Sequence, residues 1–163
     1  MSTGSYDVAQ ICSNGHIAND NFHRHPAHNK IFCEKCGSQT ITTCQSCKSP
    51  IRGQYHVPGI PISKKLDSAP GFCHNCGKPY PWTEEKLKAA KELSGEFEEL
   101  NPPDREILKT SLDDMVRDSP RTPVAAMKFK KTFAKLGKHA AAALRDIVVD
   151  IASESAKKII WPD

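Results

Sequence analysis

The chain has 163 residues, of which 26% are charged, with a formal charge of +4 and seven cysteines. That length suits one ordinary domain or two small ones, and no stretch reaches the roughly 20 uncharged apolar residues that span a bilayer. All seven cysteines precede residue 77. The first half is poor in large aliphatic side chains and cannot fold on a hydrophobic core alone, so it needs cross-links.

The start, MSTGSYDVAQ, has neither a basic region nor an apolar run, so the expected location is the cytoplasm, where disulfides rarely persist. Six cysteines form three Cys-x-x-Cys pairs: Cys33/Cys36, Cys44/Cys47 and Cys73/Cys76. In a reducing compartment such pairs read as metal knuckles. Two closed tetrahedral sites need eight ligands, and the seventh cysteine, Cys12, leaves one vacancy. His16 follows it with three residues between, one of them Gly15, which can take the positive-φ turn that brings both side chains to one point. The expected ligand set is therefore Cys12, His16, Cys33, Cys36, Cys44, Cys47, Cys73 and Cys76, holding two structural Zn²⁺ ions. Sulfur-rich tetrahedral sites also accept iron, although closed sites of this kind usually hold zinc. The count leaves the pairing open among sequential, cross-braced and nested schemes.

The rival ligands His23, His25 and His28, in NFHRHPAH, read better as an exposed loop, because His16 closes the site with better spacing. His74 lies between two ligands and is expected to point outward. His56 and His139 are lone histidines without a signal. Both sites can be filled entirely by protein atoms. The chain also lacks the His-Glu-x-x-His, phosphate-loop, serine-elbow and deaminase patterns. The metals are therefore expected to be structural, and the protein not to be an enzyme.

SQTITT and QYHV read as short strands. Pro58, Gly59, Pro61, Pro70 and Gly71 make PGIPISKKLDSAPG a loop. Thr83 reads as a helix N-cap with Glu84 and Glu85 behind it. Leu87, Ala90, Leu93, Phe97 and Leu100 form a helical stripe, with Ser94–Gly95 as a candidate interruption. Asn101 and Pro102 read as the cap and first residue of a second helix, whose stripe is Ile107, Leu108, Leu112, Met115 and Val116. Thr122–Pro123 opens the longest segment, Pro123 to Trp161. Its expected apolar stripe runs through Met127, Phe133, Leu136, Ala140, Leu144, Ile147, Val148, Ile151, Ser155 and Ile159, and Gly137 is a candidate division. Packing on neighbouring helices is the first expectation for that stripe. Self-association and a membrane-surface or partner groove follow.

Residues 1–82 carry eight Lys/Arg against four Asp/Glu, residues 83–119 six against eleven, and residues 120–163 nine against four. Seven thiolates and two Zn²⁺ would bring the net charge down to about +1. That distribution argues against a dedicated nucleic-acid binder without excluding one. The candidate contacts for nucleic acid or another partner are Arg24, Arg52, Tyr55, Lys64, Lys65 and Trp82. Tyr55, Phe72, Tyr80 and Trp82 are available to stack bases, and core filling is the competing use.

CSNGH with FCEKCG resembles the common bacterial zinc ribbon whose first knuckle ends in Gly-His and whose second begins with Phe-Cys. The resemblance rests here on Cys12, Gly15, His16, Phe32, Cys33, Cys36 and Gly37, and it implies sequential pairing. The whole chain resembles an uncharacterised bacterial double zinc-ribbon family, a domain of unknown function. The stretches that carry this are YDVAQICSNGH, FCEKCG, TTCQSCKSPIRGQYHVPG, FCHNCGKPYPWTE and ALRDIVVDIASESAKKIIWP. The resemblance implies zinc in the first half and helices in the second, and it brings no activity. The expected fold is small α+β: two zinc ribbons of short β-hairpins in residues 1–82, then a helical region in residues 83–163 with a long amphipathic C-terminal helix. The expected function is that of a non-enzymatic interaction protein with a protein partner or a second copy of itself. Nucleic-acid regulation and peripheral membrane contact are the alternatives.

Overall fold

The computed structural model describes residues 3–61 and 64–163. The chain divides into two compact units, Met1–Glu84 and Glu85–Asp163. It is a small α+β protein. The strands are β1 (Ser5–Val8), β2 (Gln10–Cys12), β3 (Ile17–Asn19), β4 (Thr40–Ile41) and β5 (Arg52–His56). The helices are α1 (Pro81–Glu96), α2 (Pro102–Met115), α3 (Thr122–Phe133), α4 (Lys138–Ile151) and α5 (Glu154–Ile160).

In the first unit β1 pairs antiparallel with β5, while β2 lies between β3 and β4 in a three-stranded antiparallel sheet. The β1–β5 register shifts between Tyr6 and Val8, a bulge whose extra residue lies on β5, while Asp7 on β1 turns inward. A buried carboxylate is costly unless donors surround it. Asp7 accepts backbone N–H bonds from Val8 (2.6 Å), His23 (3.1 Å) and Arg24 (3.0 Å), which ties the 22–24 segment to β1. Burial opposes its ionisation, but those three bonds prevail, with help from the His23 charge, and hold its carboxyl below the ordinary value.

The core of this unit is small and borrows from the cysteines. Ala9, Ile11, Ile51, Tyr80 and Trp82 pack with Cys44 and Cys73. Trp82 was a candidate partner contact, and the structure corrects this. It is 3% exposed, its ring stacks on Tyr80 at 4.7 Å, and its indole N–H donates to the Pro70 carbonyl at 2.8 Å. A unit short of aliphatics uses these two rings as filling. Thr83 is likewise not an N-cap. The helix begins two residues earlier, and the Thr83 hydroxyl donates to the Gly71 carbonyl at 2.9 Å.

In the second unit α1 runs through Ser94–Gly95 without interruption, and the Ser94 hydroxyl donates to the Ala90 carbonyl. Asn101 caps α2 as expected, its side chain accepting from the Asp104 N–H at 2.8 Å. α2 buries Leu108, Leu112 and Met115. α3, which packs on both α2 and α5, buries Ala125, Ala126 and Phe129.

The segment expected as one long amphipathic helix is three helices. The first break ends at Gly137, whose extended backbone starts α4 and whose N–H donates to Glu99 Oε2 at 2.9 Å. The second falls at Ala152 and Ser153. Ser153 caps α5, and its own N–H donates to the Met115 carbonyl at 2.9 Å. Partners outside the helix thus hold both breaks. Redirection also changes part of the stripe: Met127 is 66% exposed, and Phe129 and Ile160, outside the expected stripe, are buried, whereas Leu144, Val148 and Ile151 are buried as expected. Among the described residues no helix is long and apolar enough to cross a membrane.

Candidate metal centres

Three copies of one hairpin supply six of the candidate ligands. In each, the first cysteine donates its N–H to a carbonyl five residues on and accepts from the N–H four residues on. Cys33 uses Ser38 and Gly37, Cys44 uses Ser49 and Lys48, and Cys73 uses Lys78 and Gly77. Single antiparallel bridges close them, Phe32 to Gln39, Thr43 to Pro50 and Phe72 to Pro79. The turn residue has positive φ in all three, 73° at Gly37, 64° at Lys48 and 73° at Gly77. The fourth knuckle differs. Cys12 ends β2 and accepts from the Gly15 N–H, while Gly15 at φ 86° folds the chain so that His16 returns beside Cys12.

These knuckles gather the ligand atoms into two groups. Cys12, His16, Cys33 and Cys36 form one; Cys44, Cys47, Cys73 and Cys76 form the other, and within each all atoms lie within 4.8 Å of one another. The grouping is sequential. His23, His25, His28 and His74 are exposed and belong to neither.

The spacing within each group fits a tetrahedral metal. With Zn–S near 2.3 Å and Zn–N near 2.0–2.1 Å, a tetrahedron has S···S edges of about 3.8 Å and S···N edges of about 3.6 Å. The observed S···S separations are 3.7 Å for Cys12–Cys36, 3.8 Å for Cys44–Cys76 and 3.6 Å for Cys47–Cys73. His16 Nδ1 stands 3.5 Å from Cys12 Sγ and 3.6 Å from Cys33 Sγ. A disulfide needs sulfurs about 2.05 Å apart, and all seven thiols are free.

Polar groups that the sequence reading did not single out surround the sulfurs. The Asn14 side-chain amide donates to Cys36 Sγ at 3.4 Å and to Ser38 Oγ at 2.9 Å. The Asn75 amide donates to Cys47 Sγ at 3.6 Å. Backbone N–H groups of His16 and Asn75 donate to Cys12 Sγ (3.3 Å) and Cys73 Sγ (3.4 Å). Their signal in the sequence is positional, since both asparagines stand two residues after a ligand cysteine.

These donors shape the thiols. The Ser38 hydroxyl, then the Asn14 amide, draw Cys36 down to about 5. The Ser49 hydroxyl and backbone, then Asn75, do the same for Cys47. Cys76 goes the other way, to about 11: the Lys78 amide opposes the rise, and burial with the neighbouring Cys47, Cys44 and Cys73 drives it. Four thiolates cannot share so small a space without a compensating cation, and a divalent ion supplies that charge.

Of the candidate partner contacts other than Trp82, Arg24, Arg52, Tyr55, Lys64 and Lys65 are all exposed. Tyr55 pairs across the strands with Tyr6, which the sequence reading had passed over.

No curated protein and no solved structure matches the chain. A family model described as "Uncharacterized protein conserved in bacteria (DUF2321)" matches residues 5–160, a span that includes both candidate ligand groups and the helices α1 to α5. The chain therefore belongs to this uncharacterised conserved bacterial family.

Proposed function

We propose that the protein is a zinc-stabilised, non-enzymatic interaction protein whose first unit is a pair of zinc ribbons presenting a rigid surface to a partner. The observation that supports this best is the agreement of both ligand groups with tetrahedral edges. Cys12, His16, Cys33 and Cys36 would hold one ion, and Cys44, Cys47, Cys73 and Cys76 the other. Zinc in such closed sites supplies folding energy, and four protein ligands leave no position for a reacting water. Cys44 and Cys73 belong to the hydrophobic core, so the second ion would stabilise the packing around Tyr80 and Trp82.

Native mass spectrometry of the intact protein tests the reading. The expected result is two zinc ions per chain, with His16→Ala weakening the loading of one site only. Fewer than two ions in the parent, or iron in their place, would sink the two-zinc reading. The same spectrum reads the oligomeric state and so tests self-association.

A further inference from the structure

Tyr6 and Tyr55 stand directly opposite each other on β1 and β5, with ring centroids 4.7 Å apart. They are 51% and 40% exposed, in a unit that buries Tyr80 and Trp82 for want of other filling. Strict alternation along β5 would put Arg52 on the opposite face from Tyr55. The bulge breaks it: Gly53 and Gln54 are both buried, and the Arg52 guanidinium lies 4.7 Å over the Tyr6 ring. Lys64 pairs with Tyr55 through the backbone, and its side chain is exposed.

Among the described residues neither Arg52 nor Lys64 forms an ion pair with a carboxylate. Two of the acids that offset them in the formal count are engaged elsewhere. Asp7 is buried under three backbone N–H groups, and Asp20 accepts from the Leu66 N–H and the Asn21 amide. The face therefore combines positive charge with aromatic rings that stay partly exposed, Arg52 covering one side of Tyr6.

We propose that this face binds single-stranded nucleic acid, with Tyr6 and Tyr55 stacking bases and Arg52 and Lys64 contacting phosphates. Only a polymer carrying both anionic groups and exposed π faces uses every feature of the strip. An acidic peptide leaves the rings without a partner, and a duplex hides its base faces. The proposal names the partner class of the interaction reading above and shares with it the zinc-held first unit.

The test is fluorescence anisotropy of the zinc-loaded full chain with labelled uridine and thymidine homopolymers of about 12 nucleotides, a length on the scale of single-strand sites. Binding is read at about 50 and 200 mM salt, with zinc content measured on the same samples. The expected result is binding that weakens with salt. Tyr6→Ala and Tyr55→Ala each weaken it by about fivefold or more, whereas Tyr6→Phe and Tyr55→Phe retain it. Arg52→Gln flattens the log–log salt slope by about 0.7.

No binding by two-zinc protein at the lower salt would overturn the proposal. So would displacement by polyglutamate as effective as displacement by the homopolymers, or alanine variants with the parent affinity. If the alanine variants lose their zinc, Arg52→Gln decides, and an unchanged slope overturns the proposal. A parent that lacks zinc yet binds overturns the metal reading and leaves this one standing.

Discussion

The side-chain amide of Asn75 donates to Cys47 Sγ at 3.6 Å, just as Asn14 donates to Cys36 Sγ at 3.4 Å. Each asparagine lies two residues after a cysteine in an outer knuckle, and each reaches the second cysteine of a middle knuckle. The two groups are thus equivalent with the order of their knuckles reversed along the chain. Cys36 is exposed and Cys47 half-buried, so these sulfurs are open to competing chelators. An N–H···S bond stabilises the thiolate and fixes its direction. Asn14→Ala and Asn75→Ala are each expected to weaken zinc retention at one site by about 10- to 100-fold. A timed chelator chase, with metal release followed by colour, checks this. Release from both sites at the parent rate would show that the asparagines are incidental.

Lys48 occupies the turn position that Gly37 and Gly77 fill in the other two hairpins, at φ 64°. A side chain in that region costs roughly 1–2 kcal/mol relative to the right-handed conformation, and glycine does not incur it. Lys48→Gly should therefore raise the stability of the zinc-loaded protein by up to about 1 kcal/mol, reduced by glycine's greater unfolded-state freedom. Gly37→Ala and Gly77→Ala should lower it by about the same amount. Thermal unfolding at fixed zinc concentration separates the opposite signs.

The chemistry of the site was more legible than its architecture. Seven cysteines and the spacing from Cys12 to His16 were enough to name the eight residues that gather into two groups able to hold a metal ion, because a tetrahedral metal imposes its own count. The count carries no information about which knuckles meet. The β2–β4 pairing settles that, by bringing Cys12 alongside Thr40 and so near the second knuckle. Helix phase was legible where one face is buried throughout, as in α2. It held in α4, where Leu144, Val148 and Ile151 are buried, and failed beyond it: the break at Ala152–Ser153 is held by the Met115 carbonyl, 38 positions earlier in the chain. No local signal reports such a partner. Trp82 was ambiguous for a similar reason. An aromatic side chain beside a knuckle suits a surface or a core equally, and only the shortage of other core side chains decides.

Asp7 offers a test by pH of the link between β1 and residues 22–24. Its carboxyl is held below the ordinary value by the N–H groups of Val8, His23 and Arg24, against the effect of burial. A carboxyl lowered in the fold contributes stability in full above its unfolded value, near pH 4, and loses it as pH falls through the folded value. The parent should therefore exceed Asp7→Asn by about 2 kcal/mol, the scale of hydrogen bonds to a charged group. That margin should lose most of its size only below about pH 4, and between about pH 5.5 and 8 it should change only by the smaller part that the His23 charge supplies. Thermal unfolding of both proteins across that range checks it. A margin lost chiefly between about pH 6 and 7 would show that the His23 charge, and not the three N–H groups, is its main source.

Thr122 tests the second unit without touching the candidate metal ligands. It is fully buried at the start of α3. Its hydroxyl accepts from the Ser119 N–H at 2.9 Å and lies within donating distance of the carbonyls of Arg117 (2.5 Å) and Asp114 (3.1 Å). One side chain thus joins the end of α2 to the start of α3, the pair whose packing buries Leu112 and Phe129. Thr122→Val keeps the volume and removes the hydroxyl, which leaves the Ser119 N–H without that acceptor. Such a group costs about 1–3 kcal/mol. The expected outcome is a lower midpoint for loss of helical circular dichroism, with two zinc ions still bound per chain. A loss of zinc in this variant would mean that the two units unfold as one, and an unchanged midpoint would show that water replaces the hydroxyl at this turn.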